Sequence, residues 1–116
     1  MERDPVATNP GLYRVLMEND RVRVLEYRDR PGDRATPHRH PDSVMYTLSS
    51  FRRRLTSAGR EVEREIPAET AMWLEAQEHA GENIGESETH VIFVELKEPS
   101  RSASDARVAP LGPSEA

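Results

Sequence analysis

The chain has 116 residues, with 21 acidic and 16 basic side chains and a formal net charge of −5, so one domain is expected and nucleic acid is disfavoured as the main partner. It has no cysteine, which excludes disulfides, thiolate metal sites and a cysteine nucleophile, and fits a reducing cytoplasm. No apolar run approaches the ~20 residues that span a membrane, and no signal-peptide core follows Met1, so a soluble, cytoplasmic protein is expected, with no membrane partner.

Val, Leu, Ile and Phe together make up 22 residues, clustered between Leu12 and Leu96. A core that small is only marginally stable alone, and burying more surface by pairing predicts a homodimer. Residues 1–11 (MERDPVATNPG) read as an N-terminal arm. Residues 12–17 (LYRVLM) are the one stretch that suits the start of a helix. Residues 22–27 (VRVLEY) are rich in strand formers and end at the breaker Pro31-Gly32-Asp33. Then comes TPHRH, residues 36–40, in which His38 and His40 stand two apart and share a face if the segment is a strand. They are half of a metal site or part of a basic loop with Arg34 and Arg39.

Further short strands follow at 44–48 (VMYTL), 51–55 (FRRRL), 60–66 (REVEREI), 72–74 (MWL) and 91–96 (VIFVEL). Ser57-Ala58-Gly59 marks a turn between the second and third of these. Residues 99–116, with three prolines, four serines and four alanines, cannot bury a core and read as a flexible tail. Many brief strands at close spacing give an all-β sandwich or barrel.

The stretch from Gly32 to His40 matches G(x)5HxH, and His79 with Asn83 matches H(x)3N. The order and spacing of these two elements resemble the two motifs of the cupins over about residues 15–97. Within that family, residues 40–55, 78–85 and 89–97 look most like a small group of bacterial cytoplasmic proteins linked to β-alanine degradation. The resemblance implies a jelly roll, or double-stranded β-helix barrel, over residues 12–98. It also implies a divalent transition metal held by His38, His40 and His79. Neutral imidazole suits Fe, Ni, Mn, Cu or Zn alike.

The pattern is incomplete. Val44 and Met45 stand where the family's metal-binding glutamate falls, and Glu75 and Gln77 stand where proline and glycine are usual. Gln77 shares a face with His79 by alternation, so its oxygen is a candidate fourth ligand. His90, Asp42 or water are the other candidates, and a cavity-lining role for Gln77 remains open.

Three side chains are candidates for substrate contact. Phe51, Arg53 and Leu55 share a face; if it is the core, Arg53 enters the barrel and can clamp a carboxylate. Otherwise all three arginines of the run are in water. Tyr46 orients a substrate or fills space. His90 is expected inside, with Ile92, Val94 and Leu96, because Glu95 and Lys97 suit a wet face.

The function expected is metal-dependent chemistry on a small organic acid. Oxygenase, lyase and isomerase reactions are all compatible, because fold does not fix reaction. The alternative is a non-catalytic small-molecule binding or sensor module using the same pocket.

Overall fold

The computed structural model describes residues 4–98 and 111–113. One helical turn, α1 (Pro5–Thr8), precedes nine strands: β1 (Tyr13–Glu18), β2 (Val22–Asp29), β3 (Arg34–His40), β4 (Ser43–Thr47), β5 (Phe51–Ser57), β6 (Arg60–Ile66), β7 (Ala71–Leu74), β8 (Gln77–Asn83) and β9 (Thr89–Leu96). They form two antiparallel sheets, one in the order β1-β2-β9-β4-β7 and the other β3-β8-β5-β6. Strands adjacent in space are mostly distant in sequence, as a double-stranded β-helix requires.

Alternation sets the core. On β4, Ser43, Met45 and Thr47 are buried while Val44 and Tyr46 are exposed. On β5, Phe51, Arg53 and Leu55 point in and Arg52 points out. Tyr13, Leu25, Tyr27, Met45, Phe51, Ile66, Leu74, Val91 and Phe93 meet with Ala35 as one cluster. The β5–β6 hairpin closes through Ala58 (φ 50°) and Gly59 (φ 80°). Two successive positive φ values match the right-handed twist of the flanking strands, and glycine takes the second at no steric cost.

Two expectations are corrected. Residues 12–17 begin no helix. Tyr13 pairs with Tyr27 and Glu18 with Arg23, with a bulge between Val15 and Met17, so backbone pairing with β2 overrides a weak local pattern.

Within the N-terminal segment, the described residues from Asp4 onward pack on the barrel. Asp4 caps α1 by accepting from the N–H groups of Val6 and Ala7, and Asn9 holds β3 by accepting from the N–H of Thr36 at 2.8 Å.

The parity of β9 is opposite to expectation. Val91, Phe93 and Glu95 are buried, and His90, Ile92, Val94 and Leu96 lie on the outer side.

Most of the segment expected to be a flexible tail, residues 99–110 and 114–116, lies outside the described residues. Leu111, Gly112 and Pro113 are buried against the barrel, where Arg64 donates to the carbonyls of Leu111 at 3.1 Å and Pro113 at 2.7 Å. Among the described residues no helix is long and apolar enough to cross a membrane.

Candidate metal centre

β3 and β8 pair with His38 opposite His79 and His40 opposite Gln77. Because His38 and His40 are two apart on one strand, both turn inward while Arg39 between them is exposed. The three rings cluster with centroids 4.8, 5.0 and 5.1 Å apart. One ring nitrogen from each can be chosen so that all lie within 4.8 Å. Among the described residues this is the one group of histidines and carboxylates close enough to hold a metal.

The ring orientations favour a cation. His38 Nδ1 lies 2.7 Å from the carbonyl oxygen of Thr36, and His79 Nδ1 lies 2.8 Å from Oε1 of Gln77. Each acceptor requires a proton on Nδ1 and leaves Nε2 with a bare lone pair. His40 Nδ1 faces Oε2 of Glu95 at 3.6 Å, which points its Nε2 inward as well.

Burial holds His38 below the usual histidine range. It holds His40 and His79 well below it, and positive charge on a neighbouring ring would push both further down. All three are therefore neutral at pH 7, the form that binds metal. The donor set fits a divalent transition ion.

A tyrosine completes the cluster. The Tyr13 hydroxyl lies 3.3 Å from His38 Nε2 and 3.4 Å from His40 Nε2, donating to one of two lone pairs. Sequence reasoning missed Tyr13 because a helix start was expected there, and Glu95 because β9 was given the opposite parity. Strand propensity at Tyr13-Arg14-Val15 was the available signal for the first.

The other expected site residues lie elsewhere. Gln77 Oε1 is engaged by His79 and by the N–H of Gly112 at 2.7 Å, so it orients the far side of the His79 ring instead of joining the Nε2 atoms. Asp42 accepts from the N–H of Ala76 at 2.9 Å, fixing the turn before β8. His90 lies on the outer face, 2.8 Å from Glu26, because its neighbours Thr89 and Val91 take the inward positions. Tyr46 is likewise outside, because Met45 occupies the inward position on β4.

Arg53 does enter the barrel, but its guanidinium is taken. It donates to Asp29 at 2.6 Å, to Thr89 Oγ1 at 3.1 Å and to the Tyr27 hydroxyl at 3.1 Å. The second-motif residue Asn83 joins the same network, donating to Asp29 at 3.0 Å.

No protein-family model and no curated protein matches the sequence. Solved structures do match. A cupin domain from Bordetella pertussis Tohama I is similar at 26% identity, over 74% of this chain and 92% of that one, with a TM-score of 0.69. A Klebsiella pneumoniae protein with a double-stranded β-helix domain is similar at 18% identity, over 78% of this chain and 77% of that one, at 0.60. A predicted oxalate decarboxylase from Thermotoga maritima is similar at 17% identity, over 72% and 78%, at 0.51. Two antiparallel sheets, almost no helix and these neighbours together establish that the chain has the cupin, double-stranded β-helix fold.

Proposed function

We propose that the protein binds a divalent transition metal through His38, His40 and His79 and acts there on a small organic molecule. The observation that carries this reading is three buried, neutral imidazoles whose Nδ1 atoms face outward acceptors. A bound metal of this kind supplies a Lewis acid able to polarise a carbonyl or activate water or O₂.

The chain's own residues prepare the site. Thr36 and Gln77 fix two ring tautomers. A cavity of about 50 Å³ beside the triad is lined by Phe51, Leu55, Ile66, Phe93 and Pro113, which give it mainly apolar walls. A small organic acid remains the substrate class proposed, with β-alanine and related compounds the first to assay. Because Arg53 is bonded to Asp29, the acid's carboxylate would sit at the triad end of the cavity, away from that arginine.

A cytoplasmic homodimer belongs to the same proposal. The absence of cysteine supports the compartment. The outer face of the five-stranded sheet supports the dimer, since the row Met17, Val24, Val94, Val44, Trp73 crosses all five strands in register. An uncharged row of that kind suits an isologous contact with a second copy.

Elemental analysis of protein purified without a metal-affinity tag tests the reading. Stoichiometric metal is expected in the wild type, with severe loss in His38→Ala, His40→Ala and His79→Ala. A wild type that stays empty after incubation with Ni²⁺, Zn²⁺, Mn²⁺ and anaerobic Fe²⁺ overturns it. Metal without turnover on any small acid would leave the binding or sensor module.

A further inference from the structure

Each histidine of the triad needs something to hold the nitrogen that does not face the cavity. For His38 and His79 that partner is a neutral amide oxygen already within hydrogen-bond distance. For His40 it is a carboxylate. Glu95 reaches inward from β9 and is 3% exposed. Its Oε2 and His40 Nδ1 are both buried without a hydrogen bond, although they stand only 3.6 Å apart.

Two unsatisfied buried atoms facing each other are costly and so call for a reason. The carboxylate is anchored on its other side. Arg23 Nε donates to Glu95 Oε1 at 2.9 Å, and Arg23 also pairs with Asp4, the residue that caps α1. A chain of charged groups thus runs from the N-terminal helix to the back of one triad ring.

We propose that Glu95 is the positioning residue for His40, accepting its Nδ1–H when a divalent cation engages the triad, with Arg23 and Asp4 holding the carboxylate in place. The inference rests on the metal site proposed above. A cation that draws electrons from Nε2 makes Nδ1–H a stronger donor, and Glu95 Oε2 is the acceptor in its path. A carboxylate behind a ligating imidazole also raises the basicity of that ring. The residue that faces His40 is thereby the one charged member of three otherwise neutral supports.

The test uses the full chain and Zn²⁺. Affinity is measured by competition with a chelator for wild type, Glu95→Gln and Thr47→Val, the last a buried substitution away from the triad. Histidine ring ¹⁵N and ¹H resonances are recorded on the zinc-loaded proteins. Glu95→Gln should weaken zinc binding about 10–100-fold and shift the His40 Nδ1–H resonance alone, while Thr47→Val changes neither. Should Glu95→Gln fail to fold, Asp4→Asn takes its place, with a smaller loss of affinity expected and again a change confined to His40. Zinc affinity unchanged in Glu95→Gln, or resonances of all three histidines moving together, overturns the assignment. Wild-type protein that binds no zinc overturns the metal site as a whole.

Discussion

Replacing Arg53 by alanine would strand the Asp29 carboxylate inside the barrel. The Asp29 side chain has no exposed surface and that of Arg53 is 10% exposed, so water cannot take over the lost interaction. Asp29 would keep the Asn83 amide and the Tyr27 hydroxyl but lose the cation at 2.6 Å. Breaking a buried ion pair by removing one partner costs about 3–5 kcal/mol, against a total of about 5–15 kcal/mol for a domain of this size. Arg52 and Arg54, at 52% and 35% exposure, make surface pairs worth about 0–1 kcal/mol each.

Urea unfolding separates the cases. With a slope of about 2 kcal/mol/M, Arg53→Ala should lower the midpoint by roughly 1.5–2.5 M, while Arg52→Ala, which loses one surface pair, shifts it by at most about 0.5 M. Arg54→Ala, which loses three partly exposed pairs, shifts it less than Arg53→Ala does. The double variant Asp29→Leu/Arg53→Met removes both charges and should recover only part of the loss, because no stranded charge remains but the buried Tyr27 hydroxyl loses both of its partners. Equal effects from all three arginines would refute the buried network. Retained stability with loss of organic-acid binding would make Arg53 a ligand clamp instead.

Metal-free protein should lose stability as pH falls below about 6.5, because the unfolded chain takes up protons that the buried imidazoles refuse. The slope reaches at most about 4 kcal/mol per pH unit for three histidines, and equal urea midpoints at pH 7.5 and 5.5 would contradict it. Tyr13→Phe should destabilise the metal-free protein by about 1–3 kcal/mol by leaving a buried Nε2 without its donor, yet bind zinc at least as tightly as wild type; weaker zinc binding would show that the phenol itself helps hold the ion. Zinc at 100 times its dissociation constant should add about 2.7 kcal/mol and raise Tm by roughly 10–20 °C, an effect absent in His40→Ala when followed by calorimetry. Val44→Asp should convert a dimer to monomers in sedimentation without changing zinc content, and an unaltered sedimentation coefficient would move the interface elsewhere.

Much of the site was legible because β-strand parity is a two-valued question. His38 and His40 had to share a face, and His79 came to them through a motif that resembled the second half of a known pair. Arg53 followed Phe51 and Leu55 into the barrel for the same reason. Parity misled where polarity was used to assign it. Glu95 looked like a water-facing residue, and its partner Arg23 is 72 positions away, so no local pattern reports that the charge is matched inside. That one inversion moved His90 to the wrong side. Tyr13 was hidden differently, since β1 is an edge strand with a bulge and mostly exposed residues, which blurs alternation. The docking of Leu111 to Pro113 depends on backbone groups of leucine, glycine and proline meeting Arg64 and Gln77, and composition carries no trace of it.

The barrel encloses two polar clusters, and their difference in satisfaction separates structure from chemistry. Around Asp29 every strong group is answered: Arg53, Tyr27 and Asn83 converge on its oxygens, and Thr89 takes a further guanidinium proton. Such a closed set offers nothing to a ligand, and its effect is to fix how β2, β5, β8 and β9 meet. Around the histidines the accounting stays open, with a single tyrosine hydroxyl shared between two Nε2 atoms and the His40–Glu95 pair unbonded. Tyr13 and Tyr27 meet between the two clusters with ring centroids 4.7 Å apart and planes tilted by 56°, so the saturated network supports the floor on which the unsaturated one stands. Unanswered lone pairs in a small core are costly, and the divalent cation proposed for this site would complete three at once.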